Sequence, residues 1–98
     1  MTIYQTDTEF MPAEVIERAR AFFARQRSPY TAFPVQVGPN HLRLALEVGE
    51  VVIGAIPENG ITRVRASSSR GAHLLTRFLA TLSPARQVQR ETNRLLPA

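Results

Sequence analysis

The residues best equipped for chemistry lie in one run, Ala66-Ser67-Ser68-Ser69-Arg70-Gly71-Ala72-His73-Leu74, and in the arginines around it. Three hydroxyls, a guanidinium and a glycine ahead of an apolar-striped segment are the parts of an anion cradle, because backbone N–H groups at a helix start attract negative charge. The same residues also make an ordinary helix start, with Ser68 or Ser69 as the cap and Gly71 relieving crowding. No G-x-x-x-x-G-K-S/T or G-x-G-x-x-G spacing is present, so the capping reading is preferred.

Ser69 and His73 are four residues apart, one helical turn, the spacing of a nucleophile and its base. No G-x-S-x-G elbow accompanies them, and no acid is placed to orient the imidazole. His41 and His73 are the only histidines, there is no cysteine, and no carboxylate cluster stands near either histidine, so no metal site is expected. Glu47, Glu50 and Glu58 fall at strand ends or turns, and no two carboxylates share a predicted pocket for acid–base work. A non-enzymatic binding role without a cofactor is therefore expected ahead of a small enzyme.

All twelve basic residues are arginine, which excludes Schiff-base chemistry and a P-loop lysine. The charge is uneven: residues 61–98 carry seven arginines and one glutamate, whereas Met1 to Glu17 is net negative. A basic half suits an anionic partner, but a net charge of +4 spread over several elements reads first as surface solvation.

The elements that must position these groups are legible from periodicity. Thr2 to Glu9 is rich in β-branched and aromatic types and reads as a strand. Pro12 opens a helix running to Gln26, with Val15, Ala19, Phe22 and Phe23 on one side and Glu14 and Arg18 at i,i+4 spacing. From Thr31 to Ser69 the period is two. Asn59-Gly60 is a type I′ hairpin dipeptide, Gly49-Glu50 fits a Gly-X type II′ turn, and an even loop is expected at Pro39-Asn40.

Those turns set Ala55 opposite Val64, Leu44 opposite Ala55, Val37 opposite Leu42 and Val35 opposite Leu44. Phe33, Val35, Val37, Leu42, Leu44, Leu46, Val48, Val51, Ile53, Ala55, Val64 and Ala66 then share one buried face. Pro34 cannot donate to a ladder, so residues 31–38 are expected at one edge and the N-terminal strand at the other, beside residues 61–68. Leu74, Leu75, Phe78, Leu79 and Leu82 form a helical stripe that should cross the buried face. Ser83-Pro84 then kinks this helix or starts another, running to about Leu96 on a thin stripe of Val88, Leu95 and Leu96 that is expected to fray.

The opposite sheet face is expected to carry Arg43, Arg63 and Arg65 among Ala45, Val52, Gly54 and Ile56, with Glu47 pairing one arginine. Arginine grips phosphate bidentately, so this face, with Ser69 and Arg70 near its end, is the candidate anion or partner surface. It lacks the exposed aromatics on which bases stack, which ranks nucleic acid behind a homodimer or other protein interface.

The order of strand, proline-led helix, antiparallel meander and long C-terminal helix resembles the helix-grip proteins, the START-like or SRPBCC superfamily, in a reduced form. "TDTEFMPAEVIERARAFF" resembles their first strand and helix, "GITRVRASSS" their final strand, and "LLTRFLATLSPARQVQRETNRLL" their closing helix. The resemblance implies binding of an apolar small molecule between the sheet and the closing helix. Phe33, Leu44, Ile53 and Phe78 would line that pocket if the helix does not seat tightly, and would be plain core if it does.

Ninety-eight residues with 44% hydrophobic content make one domain, 1–98, with 84–98 as the kinked or frayed end. No membrane-span-length apolar run or signal pattern is present, so a cytoplasmic location is expected. The fold expected is α+β: an antiparallel four- to five-stranded meander packed on one face by an N-terminal and a long C-terminal helix. The function expected is binding of an apolar small molecule or a protein, with polyanion binding through the arginine face as the alternative.

Overall fold

Alternating apolar residues build the sheet, and a computed structural model describes residues 2–82 together with the backbone of residues 89–90. The elements are β1 (Ile3–Thr8), α1 (Pro12–Ala24), β2 (Ala32–Val37), β3 (His41–Leu46), β4 (Glu50–Glu58), β5 (Ile61–Ser68), α2 (Ala72–Ala80) and a two-residue β6 (Gln89–Arg90). The strand order is β2-β3-β4-β5-β1-β6, antiparallel throughout. The protein is thus α+β, with a five-stranded antiparallel sheet to which β6 adds a short rim. As expected from Pro34, β2 is an edge, and β1 lies beside β5.

Two of the three turns follow the expected register. Asn59 (φ 51°) and Gly60 (φ 83°) both occupy left-handed backbone, as a type I′ turn requires, and Ala55 faces Val64. Val37 faces Leu42 across the loop at 38–40. The third turn is displaced. Leu46 and Gly49 exchange backbone hydrogen bonds of 2.7 and 3.4 Å, so Glu47 and Val48 form the loop, and Leu44 faces Val51 rather than Ala55. The slide is four residues, an even number, so Leu42, Leu44 and Leu46 keep the buried face.

Gly49 is therefore not a turn residue. A Cβ there would lie 2.4 Å from the Ser69 hydroxyl, which accepts a 2.9 Å hydrogen bond from the Glu50 N–H. The glycine lets the end of β5 close onto the start of β4.

One face of the sheet is covered by both helices. Val15, Ile16, Ala19 and Phe23 of α1 and Leu74, Leu75, Phe78 and Leu79 of α2 are buried against Leu42, Leu44, Val51, Ile53, Ala55, Val64 and Ala66. Phe22, Phe23 and Phe78 form a ring cluster with centroids 5.1–6.1 Å apart in tilted and edge-on contacts. Each fully buried large side chain of this kind stabilises the fold by about 1.5–3 kcal/mol. At the entry to α1, Pro12 takes the first-turn position, and the Arg18 guanidinium lies 4.0 Å from the Phe10 ring while pairing with Glu14 at 2.9 Å.

β1 turns Tyr4, Thr6 and Thr8 inward. The Thr8 hydroxyl donates 3.0 Å to the Leu82 carbonyl and accepts from the Phe10 N–H at 3.3 Å. It ties the end of α2 to β1.

The C-terminal helix is short, nine residues rather than the long element expected. Its stripe ends at Leu82, and residues 89–90 are extended against Tyr4 and Gln5 instead of helical. The Ser83-Pro84 cap and the expected stripe of Val88, Leu95 and Leu96 lie outside the described residues.

Candidate functional site

The one-residue irregularity in β2 decides what the surface offers. Between Pro34 and Gln36 the β2–β3 register shifts, leaving Val35 as an extra residue. Beyond it Pro34, not Val35, faces Leu44, and Phe33 faces Ala45 on the outer side of the sheet. A bulge reverses the alternation, so Phe33 does not join the buried set.

β2 is consequently an almost entirely apolar strand, Ala-Phe-Pro-Val-Gln-Val, that is almost entirely exposed. Phe33, Val35 and Val37 are 57%, 61% and 49% accessible. All three had been expected in the core.

The outer face continues from Phe33 in cross-strand rows. Gln36, Arg43, Val52 and Ser67 form one, and His41, Gly54, Arg65 and Gln5 the next. Ile56, Arg63 and Asp7 follow. The rows within β4 and β5 match the sequence reading; those crossing the displaced turn differ from it by the four-residue slide. Val52 and Ile56 are exposed on β4, two strands from Phe33 and separated from it by β3, and Gly54 between them is open: a Cβ there meets nothing nearer than the Arg65 carbonyl at 3.8 Å.

Arg43 and Arg63 are held by carboxylates of the same face. Arg43 Nε reaches Glu50 at 3.0 Å, and Arg63 reaches both Asp7 at 3.2 Å and Glu58 at 3.1 Å. The hydrogen bond to Asp7, with the charges of Asp7 and Glu58, holds Arg63 above its ordinary value, so it is cationic at every accessible pH. Glu47, expected to pair an arginine, instead accepts a 2.9 Å hydrogen bond from the Ser28 hydroxyl, because the displaced turn carries it away. Three arginines (43, 63 and 65) are matched by three acids (Asp7, Glu50 and Glu58) on one surface.

The Ser67–Gly71 segment forms neither a serine cap nor a cradle around a shared point. α2 starts at Gly71 in left-handed backbone (φ 85°), with no side-chain cap. The Ser69 hydroxyl is committed to Glu50 N–H, and the Ser68 hydroxyl donates to the Arg70 carbonyl. His73 makes an edge contact with Tyr30, centroids 5.0 Å apart, instead of approaching a nucleophile. Among the described residues, no three His, Cys, Asp or Glu side chains come together, and no helix is long and apolar enough to cross a membrane.

The residues expected to line an apolar pocket are separated. Leu44, Ile53 and Phe78 are at most 2% exposed inside the packed core, and Phe33 is on the other side of the sheet. A shallow groove of about 280 Å³ does lie between α1 and β2, where Ala21 and Ala24 meet Ala32 and Pro34 above Leu44. The small side chains leave that space, which falls below the ~300–1,000 Å³ of ordinary ligand pockets.

Sequence reading missed the bulge, and with it the exposure of Phe33 and Val35. It also missed the acids that neutralise Arg63, although Asp7 opposite Arg63 follows once β1 is placed beside β5. No family model, curated protein or solved structure matches this chain.

Proposed function

We propose that the chain is a non-enzymatic protein-interaction domain whose partner docks on the outer sheet face and the adjoining strand β2. One observation carries this reading: Phe33, Val52 and Ile56 are exposed among charged and small residues of the outer face, and Val35 and Val37 extend the exposed apolar surface along edge strand β2, while the core beneath the sheet is packed. Exposed apolar side chains interleaved with charge on one sheet face suit a protein interface.

An apolar ligand between the sheet and α2, the site the helix-grip resemblance implies, would have to displace Ile53, Leu75 and Phe78 from a filled interior. Polyanion binding through the arginine face is disfavoured by the pairing of Arg43 with Glu50 and of Arg63 with Asp7 and Glu58, since bound phosphate would have to compete with fixed carboxylates. A photo-crosslinking phenylalanine analogue placed at Phe33, at Ile56 or, as control, at Arg18 on the exposed side of α1 tests the proposal in cells that express the chain. Adducts from the first two positions and none from the third are expected. Equal labelling at all three, or none at Phe33 and Ile56, rejects the surface.

A further inference from the structure

Resting on that reading, we propose that the partner is a second copy of the same chain, seated face to face on the outer sheet surface about a two-fold axis. A two-fold contact must be self-complementary, because each patch meets itself. The charges meet that condition. The outer face carries Arg43, Arg63 and Arg65 against Asp7, Glu50 and Glu58, a balance of zero, while the chain as a whole carries +4. Two positively charged copies therefore repel least when these faces meet. Arg43 stands beside Glu50 near the β3–β4 turn and Arg63 beside Asp7 and Glu58 at the opposite end, so neither end presents a single sign of charge to the facing copy.

The area is sufficient. Five strands spaced ~4.8 Å apart and six to nine residues long make a face of about 24 by 22 Å, or roughly 700 Å² of accessible surface per copy once side-chain relief is included. Two such faces bury about 1,400 Å², inside the ~1,200–2,000 Å² of stable interfaces. Val52 and Ile56 supply apolar contact on either side of Gly54, whose missing side chain lets the facing sheet approach, and Phe33 closes the corner.

Joining two β2 edges into one continuous sheet is the competing geometry, and β2 is built against it. Pro34 has no N–H to give and the bulge at Val35 interrupts the ladder, both devices that blunt an edge. The contact is then carried by side chains of the face.

Sedimentation velocity of the purified full chain over a wide concentration range is the test, on wild type, Ile56→Arg, Val37→Pro and Arg18→Glu. The Gly38 N–H is spent on the His41 carbonyl at 2.8 Å, so alternation points the Val37 N–H to the free edge, where proline would block edge pairing without breaking the β2–β3 ladder. A reversible dimer is expected, weakened at least tenfold by Ile56→Arg and unchanged by Val37→Pro and Arg18→Glu. A dimer abolished by Val37→Pro but indifferent to Ile56→Arg is an edge-joined sheet and overturns the inference. So does a chain that stays monomeric at every concentration. In that last case crosslinks from Phe33 to a different protein would leave the docking surface standing, whereas their absence would remove both.

Discussion

Gly49 offers a clean separation between two reasons for a glycine. Its place before Glu50 suggests a turn residue, but the structure makes it a point of close approach, 2.4 Å from a built Cβ to the Ser69 hydroxyl and 3.2 Å to Arg70 N. In Gly49→Ala the serine must rotate away, losing its 2.9 Å bond from Glu50 N–H, which is worth about 0.5–1.5 kcal/mol. Crowding against Arg70 adds to this, while the stiffer unfolded chain returns about 0.4–1 kcal/mol. The hydrogen-bond loss and the unfolded-chain return nearly offset each other, so overpacking against Arg70, which typically costs about 1–3 kcal/mol, sets an expected net loss of about 1–2 kcal/mol. Ser69→Ala alone should cost about 1 kcal/mol or less, because the Glu50 amide is exposed and water can replace the hydroxyl.

The double variant removes the hydroxyl that the new methyl strikes, so it should cost about 1 kcal/mol less than the sum of the singles. Urea unfolding of the four proteins at one low protein concentration reads all three values. Additive losses, or a Gly49→Ala variant as stable as wild type, would show that contact with Ser69 is not what the glycine serves.

Other consequences of the packing can be read the same way. Thr8→Val keeps the shape but leaves the buried Leu82 carbonyl without its 3.0 Å donor, and should lower unfolding free energy by about 1–3 kcal/mol in the same urea assay. Gly60→Ala meets no atom within 4 Å, yet should cost about 1 kcal/mol because its φ of +83° is left-handed. Gly54→Ala, with ordinary backbone and open space, should raise stability by about 0.4–1 kcal/mol when measured on dilute protein. The triple change Asp7→Asn, Glu50→Gln, Glu58→Gln unmasks Arg43 and Arg63 and leaves the face, with Arg65, at a charge of +3. It should create RNA or DNA binding whose logarithmic salt slope is about −2 to −3, in a filter or anisotropy titration where wild type binds negligibly.

Most of the sheet was legible because alternation and turn chemistry are local. Asn59-Gly60 fixes the β4–β5 register without help from the rest of the chain, and Pro34 marks an edge from its missing donor alone. The face of β3 survived a misplaced turn for a simple reason: a slide of four residues preserves parity, so Leu42, Leu44 and Leu46 stay inside wherever the loop closes.

Parity also explains the largest miss. Val35 is a single extra residue, and nothing in Phe33-Pro34-Val35 distinguishes a bulge from continued alternation, so Phe33 was placed in a core it never enters. The C-terminal helix failed differently. Its first half carries a dense stripe that docks and ends at Leu82, while the pair 89–90, expected within the second half, is extended beside β1. The charge pairs of the outer face needed the full register: Asp7 meets Arg63 because β1 lies beside β5, as expected, whereas Arg43 meets Glu50 across a β3–β4 turn that turn chemistry placed four residues out of register.

The exposed face is tested most directly by one fluorophore. The chain has no tryptophan, so Phe33→Trp reports that position alone. Dilute protein should emit at the long wavelength of a hydrated indole and be fully quenched by iodide, with emission moving blue and quenching falling as concentration drives the faces together. Blue, unquenchable emission at the lowest concentration would put residue 33 in the core of the monomer, and unchanged water-like emission at every concentration would leave the face without its second copy.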